Sequence, residues 1–345
     1  MRLGGSFAAA GCRWGLVAAL LVGGLVRLAA PVQAATTWQA RVGVASADQA
    51  IQAHVFLPSL LTIDVGDTIT WTFQAGEPHT VTFLSGNPAP SPFSPPSGGP
   101  TYDGTGLVNS GLLNNNATFS LTFTVAGTFG YVCLLHPGQT GTVQVNPAGT
   151  PYPLTQAQYD QQAAQQTTSL LATGQSLLAQ GLQEAQRAGP DHVTAGIGNG
   201  TIAIMRFQPS PITVGVGQTV TWDARDPATP HTITFGSFQG NPQQPSGLSG
   251  TGQATISSPT QVVNSGFVGA AFPQGPTFRV TFTAAGTYNY VCLLHAELGM
   301  VGTVVVSTTP AATPTPVIPE WSPLWLFGSG LAALALLRRR RRGRR

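Results

Sequence analysis

The sequence contains no lysine, and only 8% of its 345 residues are charged. All fifteen basic residues are arginine, and ten of them lie in residues 1–34 and 338–345. In the body between these ends, twelve acidic residues outnumber five arginines. Because an acidic body cannot neutralise a run of phosphates, this distribution of charge excludes a nucleic-acid-binding protein.

Both ends of the chain have the character of targeting segments. Residues 1–34 combine an arginine-containing start, an apolar stretch and a small-residue cleavage pattern, which predicts a signal peptide. Residues 308–320 form a Pro/Thr-rich spacer, 321–337 an uncharged transmembrane or sorting-tag helix, and 338–345 an arginine-rich cytoplasmic tail. This end resembles bacterial C-terminal sorting tags, which are often removed; the alternative is a permanent anchor. Either way, the body is expected at the extracytoplasmic face of a bacterial membrane or at the cell surface.

Cysteine is scarce. Of three cysteines, only Cys133 and Cys292 follow the predicted signal peptide. In an exported protein, two cysteines could form a single disulfide. Their surroundings indicate otherwise, because each lies in the same hexapeptide, Tyr-Val-Cys-Leu-Leu-His, at 131–136 and 290–295.

The hexapeptide belongs to a longer internal repeat. The tripeptide Pro-His-Thr at 78–80 recurs at 230–232, and the stretches before and after it recur in the same order. The chain is therefore interpreted as a tandem duplication, with one domain at 37–147 and a second at 192–307.

Each copy is predicted to be all-β. Ile69, Trp71 and Phe73 alternate with threonines, which is typical of half-buried strands. Seven or eight short strands in about 110 residues predict a Greek-key sandwich in each copy.

Residues 148–191, between the copies, are predicted to form a helical linker. The segment is rich in Gln, Ala and Leu, and the pair Gly189-Pro190 would end a helix. Gly174 and Gly181 would weaken its middle. One or two helices acting as a spacer are expected, and a partner-binding helix is the alternative.

Two histidines and one cysteine occupy matching positions in the two copies. They are His79, Cys133 and His136 in the first copy, and His231, Cys292 and His295 in the second. Met300 follows in the second copy only.

On these residues, both repeats resemble cupredoxins of the plastocyanin and amicyanin kind. The resemblance implies one type 1 (blue) copper per domain, two per chain, held by the two histidines and the cysteine, with Met300 as a weak cap in the second domain. A thiolate with two imidazoles suits both Cu(I) and Cu(II), and a weak axial donor sets the potential. Two alternatives are buried thiols with incidental histidines, and zinc, for which a second strong ligand is missing.

The first copy departs from the pattern at the axial position. Alignment on the shared Gly-Thr-Val at 141–143 and 302–304 puts Gln139 opposite Met300, in a loop two residues shorter. A glutamine cap resembles the stellacyanin kind of site, and its amide oxygen favours Cu(II) over Cu(I). The alternative is that Gln139 faces water and the site is three-coordinate.

The resemblance implies an electron carrier whose partners are redox proteins of the cell envelope. Catalysis is disfavoured, since no histidine flanks either cysteine and no His-x-His pair occurs. His54 and His192 are interpreted as ordinary surface or edge residues, because alignment of the repeats puts Met205 opposite His54. Copper storage, delivery or resistance is the alternative, but it would predict Met or His clusters, and the chain has three methionines. A surface interaction module that inherited its sites is a third possibility.

In such sites the second ligand histidine usually has an edge near the surface. The resemblance therefore implies that His136 and His295 lie at a docking surface, with apolar neighbours such as Leu294.

Overall fold

The computed structural model describes residues 1, 4–5, 34–246 and 252–308. The predicted signal peptide lies almost wholly outside these ranges, and the predicted membrane span and arginine-rich tail lie outside them entirely. Within the described ranges, no helix combines the length and the hydropathy that crossing a bilayer requires.

The first repeat forms two β-sheets that pack face to face. Its strands are β1 (Thr37–Ala45), β2 (Ile51–Leu57), β3 (Leu60–Asp64), β4 (Thr68–Phe73), β5 (Thr82–Phe83), β6 (Thr101–Tyr102), β7 (Val108–Asn109), β8 (Thr118–Phe123), β9 (Gly127–Val132) and β10 (Thr140–Asn146). One sheet has the order β2-β1-β4-β8-β6, and the other the order β3-β10-β9-β5-β7. The predicted alternation in β4 is confirmed, since Ile69, Trp71 and Phe73 are buried between half-buried threonines.

The second repeat forms a second sandwich of the same kind. Its strands are β11 (His192–Ile197), β12 (Ile202–Ile204), β13 (Phe207–Gln208), β14 (Ile212–Gly215), β15 (Thr219–Arg225), β16 (Thr234–Phe235), β17 (Gln253–Ile256), β18 (Val263–Asn264), β19 (Thr277–Phe282), β20 (Gly286–Val291) and β21 (Val301–Ser307), with a short 3-10 helix at Ala296–Leu298. The sheets have the orders β13-β11-β15-β19-β17 and β14-β21-β20-β16-β18.

The linker forms one helix, α1 (Gln156–Ala188). Its start is fixed by a capping box, in which Thr155 accepts a hydrogen bond from the backbone of Gln158 and the Gln158 side chain accepts one from the backbone of Thr155. The helix packs on strands of both repeats, β2 and β1 on one side and β11, β12 and β13 on the other. It therefore joins the two sandwiches rather than spacing them apart.

The two sandwiches share a sheet edge and an apolar core. Strand β12 of the second repeat pairs antiparallel with β2 of the first, with Ile202 opposite Ala53 and Ile204 opposite Ile51. A separate apolar cluster fills the junction and takes residues from both repeats and from α1. Its buried members are Val44, Ala50, Ile51, Ala53, Leu57, Ala163, Ile197, Ile202 and Ile204. Because burial of apolar surface is the main favourable term in association, this junction holds the two repeats as one unit.

The two glycines of α1 lie at its closest contacts with this junction. A Cβ at Gly174 would lie 2.3 Å from Cγ2 of Ile51, and one at Gly181 would lie 2.9 Å from Oε1 of Gln208. Gly181 also accepts a hydrogen bond from the side chain of Thr194 through its carbonyl. The glycines that would weaken an isolated helix are thus what lets this one approach both repeats.

The substitution Gly174→Ala tests this packing. At an exposed helical position the change would stabilise by about 1 kcal/mol. Here we expect it to lower the free energy of unfolding by about 1–3 kcal/mol, because the new methyl group overlaps Ile51. Chemical denaturation would measure the change, with exposed Gln175→Ala as the control. A stability equal to or above that of the unaltered chain would show that the helix does not pack closely here.

Candidate metal centres at the domain junction

In the first sandwich the structure brings His79, Cys133 and His136 together. His79 lies just before β5, while Cys133 and His136 lie in the turn between β9 and β10. The Sγ atom of Cys133 is 3.5 Å from Nδ1 of His136 and 3.9 Å from Nδ1 of His79. The two Nδ1 atoms are 2.9 Å apart. One thiol and two imidazole nitrogens therefore converge on a single buried point.

The second sandwich repeats this arrangement. The Sγ atom of Cys292 is 3.4 Å from Nδ1 of His295 and 4.0 Å from Nδ1 of His231. All three side chains are buried. Both cysteines are free, so the disulfide considered from the sequence is not formed.

The predicted axial residues occupy matching backbone positions. The amide of Cys133 donates to the carbonyl of Gln139, and the amide of Cys292 donates to the carbonyl of Met300, each at 3.0 Å. The Gln139 amide oxygen lies 2.9 Å from Nδ1 of His79, and its amide nitrogen donates to the carbonyl of Val55. The Gln139 side chain is buried and turned towards the donor atoms, not towards water.

Two glycines that the sequence analysis did not single out make room for the upstream histidines. Gly43 and Gly196 both have φ near the left-handed region, +73° and +78°. A Cβ at Gly43 would lie 2.8 Å from Nε2 of His79, and one at Gly196 would lie 2.2 Å from Nε2 of His231. The two glycines occupy matching positions in the two repeats, and this match is the feature of the sequence that could have identified them. Both glycines are needed because no larger residue would leave the imidazole in place.

The donor set fits copper. Thiolate and imidazole are ligands that copper accepts in both oxidation states. In each triad the donor atoms lie within 4.8 Å of one another, so one ion can contact all three. The amides of Thr80 and Thr232 lie 3.4 Å from the two sulfur atoms, where they stabilise a thiolate.

The donor residues also polarise one another. Burial alone would raise the pKa of Cys133, but hydrogen bonds from His136 and His79 lower it to about 5. Burial would lower the pKa of His136, but Cys133 and Glu77 raise it to about 9. Without metal, the first triad is therefore a thiolate–imidazolium pair at neutral pH. A thiolate that forms so readily is already in the state that binds metal.

The outer histidines do not reach a surface, and the expectation of exposed histidine edges is wrong. His136 is 6% exposed and His295 is 5% exposed. Their Nε2 atoms point towards the same carboxylate, Glu77, and lie 3.8 Å and 3.3 Å from its Oε1 atom. Leu294, the apolar neighbour, does remain 40% exposed. The two centres thus face each other across the domain junction.

The interpretation of His54 as a surface residue is also wrong. His54 is buried, its Nε2 atom lies 2.8 Å from Oε2 of Glu77, and its ring stacks on His136 with centroids 3.9 Å apart. The backbone amide of His54 donates to Thr201 of the second repeat, so the residue lies at the junction. His192, by contrast, is half-buried and contacts Asp191.

Glu77 is ionised although it is buried. Burial would raise the pKa of this carboxyl, but the surrounding imidazoles of His136, His295 and His54 hold it well below its usual range. Neither Glu77 nor His54 has a counterpart of the same kind in the second repeat, where Thr229 and Met205 occupy the aligned positions. The repeat pattern therefore gave no signal for either residue.

His54, Glu77 and His136 also come close enough for a third metal ion to be considered. The rings of His54 and His136 are nearly parallel, with an interplanar angle of 10°. The lone pair of a ring nitrogen lies in the plane of its ring, so two parallel stacked rings cannot both aim at one ion. A hydrogen bond between His54 and the carboxylate, with His136 at ion-pair distance, fits this geometry better than a third metal centre.

The thiolate in the first triad can be tested by titration. Copper-free Cys292→Ser protein retains Cys133 as its only thiol after residue 34. We expect the ultraviolet absorbance of the thiolate to appear as the pH rises through about 5. The pair should stabilise the fold at neutral pH and lose its contribution as the pH falls through about 5, where the thiolate is protonated, and as it rises through about 9, where His136 loses its proton. The variant lacking both cysteines gives the baseline, and an absorbance that appears only near pH 8.5 would refute the ion pair.

Comparison with known proteins identifies the family. A model of copper-binding proteins of the plastocyanin/azurin family matches residues 43–146 and 192–307. Amicyanin from Paracoccus denitrificans is 33% identical over 85 residues, which are 25% of this chain and 53% of that protein. Plastocyanin from Scenedesmus fuscus is 36% identical over 96 residues, 27% of this chain and 88% of that protein.

A solved structure of a mutant amicyanin in the Cu(I) state is 26% identical, with a TM-score of 0.23, and the match covers 32% of this chain and 82% of that one. The chain spans about half the length of several curated relatives that it matches, 53% for amicyanin and 56% for a rice plastocyanin. The family model, however, covers both repeats and more than half of the chain. The chain therefore belongs to the plastocyanin/azurin family of copper-binding proteins, with one His–Cys–His centre in each of its two domains.

Proposed function

We propose that the protein is an electron carrier that uses two type 1 copper sites. The observation that carries this proposal is the convergence of one thiolate and two Nδ1 atoms in a buried, preformed pocket of each domain. Bound copper would supply a one-electron couple. The chain would supply donor atoms whose positions are set by the surrounding sheets, so that little has to move when the charge changes.

The proposed ligands of the first site are His79, Cys133 and His136, and those of the second site are His231, Cys292 and His295. Gln139 is the proposed axial residue of the first site and Met300 that of the second. The direction of the Gln139 amide oxygen supports its assignment. The complete burial of Met300 and its hydrogen bond to the Cys292 backbone support the other.

Electron transfer is favoured over catalysis and over copper storage. Substrate turnover at a second metal centre would need ligands that aim at a common point, and the stacked His54 and His136 do not. Storage or delivery would need donors that release the metal easily to a partner. Here the sulfur atoms and the histidines around them are buried in both domains.

We further propose that the protein works outside the cytoplasm and exchanges electrons with redox proteins of the cell envelope. The signal-like residues 1–34 and the arginine-flanked apolar segment 321–337 support this location, which cell fractionation would test. The buried outer histidines mean that a partner would approach another part of each site. Exposed Leu294, two residues after Cys292, is an apolar candidate in the second domain.

Metal stoichiometry tests the number of sites. We expect two coppers per chain, and one in each of Cys133→Ser and Cys292→Ser, because each site has its own thiolate. Elemental analysis and the thiolate-to-copper band in the visible spectrum would measure this. Loss of both bands in one single variant would refute independent sites. A third tightly bound copper, lost in His54→Asn, would instead favour a metal centre at the junction and would support a catalytic function.

The axial residues predict a lower reduction potential for the first site. An amide oxygen stabilises Cu(II) more than a thioether does. We therefore expect Gln139→Met to raise the potential of the first site and the reciprocal Met300→Gln to lower that of the second. Each is measured by voltammetry in the Cys→Ser background that leaves one site. If the potential does not move in either variant, these residues are not axial ligands.

A further inference from the structure

One carboxylate oxygen lies between the two candidate copper sites. The Oε1 atom of Glu77 is 3.3 Å from Nε2 of His295 in the second domain and 3.8 Å from Nε2 of His136 in the first. Its other oxygen, Oε2, is 2.8 Å from Nε2 of His54. The Glu77 side chain is 7% exposed, so water does not replace these contacts.

We propose that Glu77 is a positioning residue shared by both copper sites, which orients His136 and His295 and couples the reduction potentials of the two domains. This inference rests on the proposed electron-carrier function and adds to it a connection between the sites. Glu77 belongs to the first domain, and the inference is that it also affects the metal centre of the second domain.

The orientation of each imidazole follows from the partners of its two nitrogen atoms. A neutral imidazole carries one N–H and one lone pair, and the partner of one nitrogen decides which nitrogen is free to bind metal. The Nε2 atoms of His136 and His295 lie 3.8 Å and 3.3 Å from a carboxylate oxygen, which can only accept, so a hydrogen on each Nε2 is favoured over a lone pair there. The lone pairs are then left on the Nδ1 atoms, which lie beside Cys133 and Cys292.

The coupling follows from charge and burial. A carboxylate that accepts a hydrogen bond from a ligand histidine makes that histidine a stronger donor to the metal. A buried negative charge is also screened much less than an exposed one. Both effects stabilise Cu(II) over Cu(I), and the charge reaches both sites because Glu77 lies within 3.8 Å of both outer histidines.

The contact is held by several connections across the junction. Gly76 precedes Glu77 and packs against Leu298 of the second domain, and a Cβ there would lie 2.6 Å from Cδ2 of that leucine. Arg206 donates to the carbonyl of Leu298 at 2.7 Å and to the carbonyl of Asp48 at 2.6 Å. The loop that carries His295 is therefore tied to the first domain through Gly76 and, by way of Arg206, through Asp48.

His54 secures the other end of the carboxylate. It holds Oε2 of Glu77 through Nε2 and stacks on the ring of His136. The carboxylate is thus fixed by one imidazole that is not a proposed ligand, and its Oε1 atom is left for the two that are.

The test is the reduction potential of each site alone in the full-length chain. In the Cys133→Ser background only the second site binds copper, and there we expect Glu77→Gln to raise the potential. In the Cys292→Ser background we expect the same change to raise the potential of the first site. Glutamine keeps the size of the side chain and removes its charge, so the upward shift in both backgrounds reports the shared carboxylate.

Glu297→Gln is the matched control. Glu297 lies two residues after His295 and is exposed, so removal of its charge should shift the second potential much less than removal of Glu77. An unchanged second potential in Glu77→Gln, or an equal shift in Glu297→Gln, would overturn the inference. Absence of the copper bands from the unaltered chain would refute the proposed function itself, so the two failures are distinguishable.

A second measurement needs no variant. In the Cu(I)-loaded wild-type chain, the Nε2–H protons of His136 and His295 should give downfield NMR signals that exchange slowly with water, because both are buried against the carboxylate. Rapid exchange of either proton would overturn the inference. This result decides the matter if Glu77→Gln does not fold.

Discussion

The pairing of β12 with β2 is the constraint on which the rest of the arrangement depends. It adds a strand from the second repeat to a sheet of the first, and the apolar cluster beside it buries residues from both repeats and from α1. Once the edge is paired and covered, the two sandwiches have one relative position. That position turns the outer histidines of the two sites inward, towards Glu77, and not towards the surface that the resemblance implied.

The junction changes what each site needs from its surroundings. A histidine edge exposed to water finds hydrogen-bond acceptors there, whereas a buried one needs a protein acceptor. Glu77 serves His136 and His295 together, and the second repeat has Thr229 at the aligned position. The duplicated domains are therefore alike around the sulfur atoms and unlike at the surface where they meet.

The local chemistry could be predicted from the sequence, and the junction could not. The triads and the Gln139–Met300 correspondence lie within segments that repeat, so the spacing of one copy supported the interpretation of the other. His54 and Glu77 have no counterpart in the second repeat, where Met205 and Thr229 occupy the aligned positions, so the repeat could not indicate a role for either residue. Gly174 and Gly181 were expected to weaken the helix because helix propensity describes an isolated helix. It does not take account of tertiary neighbours such as Ile51 and Gln208, which lie too close for a larger residue.

The buried carboxylate is better explained by its effect on the histidines than by a contribution to stability. Removing a carboxylate from water costs several kcal/mol, and contacts with partners only offset that cost. An apolar side chain at position 77 would avoid that cost, and the apolar cluster at the junction already joins the repeats without charged groups. Such a side chain would also leave three buried Nε2 atoms, of His54, His136 and His295, without an acceptor, at about 1–3 kcal/mol each. An acceptor is thus required because the outer histidines of both proposed copper sites are buried, and one residue provides it because the sites face each other.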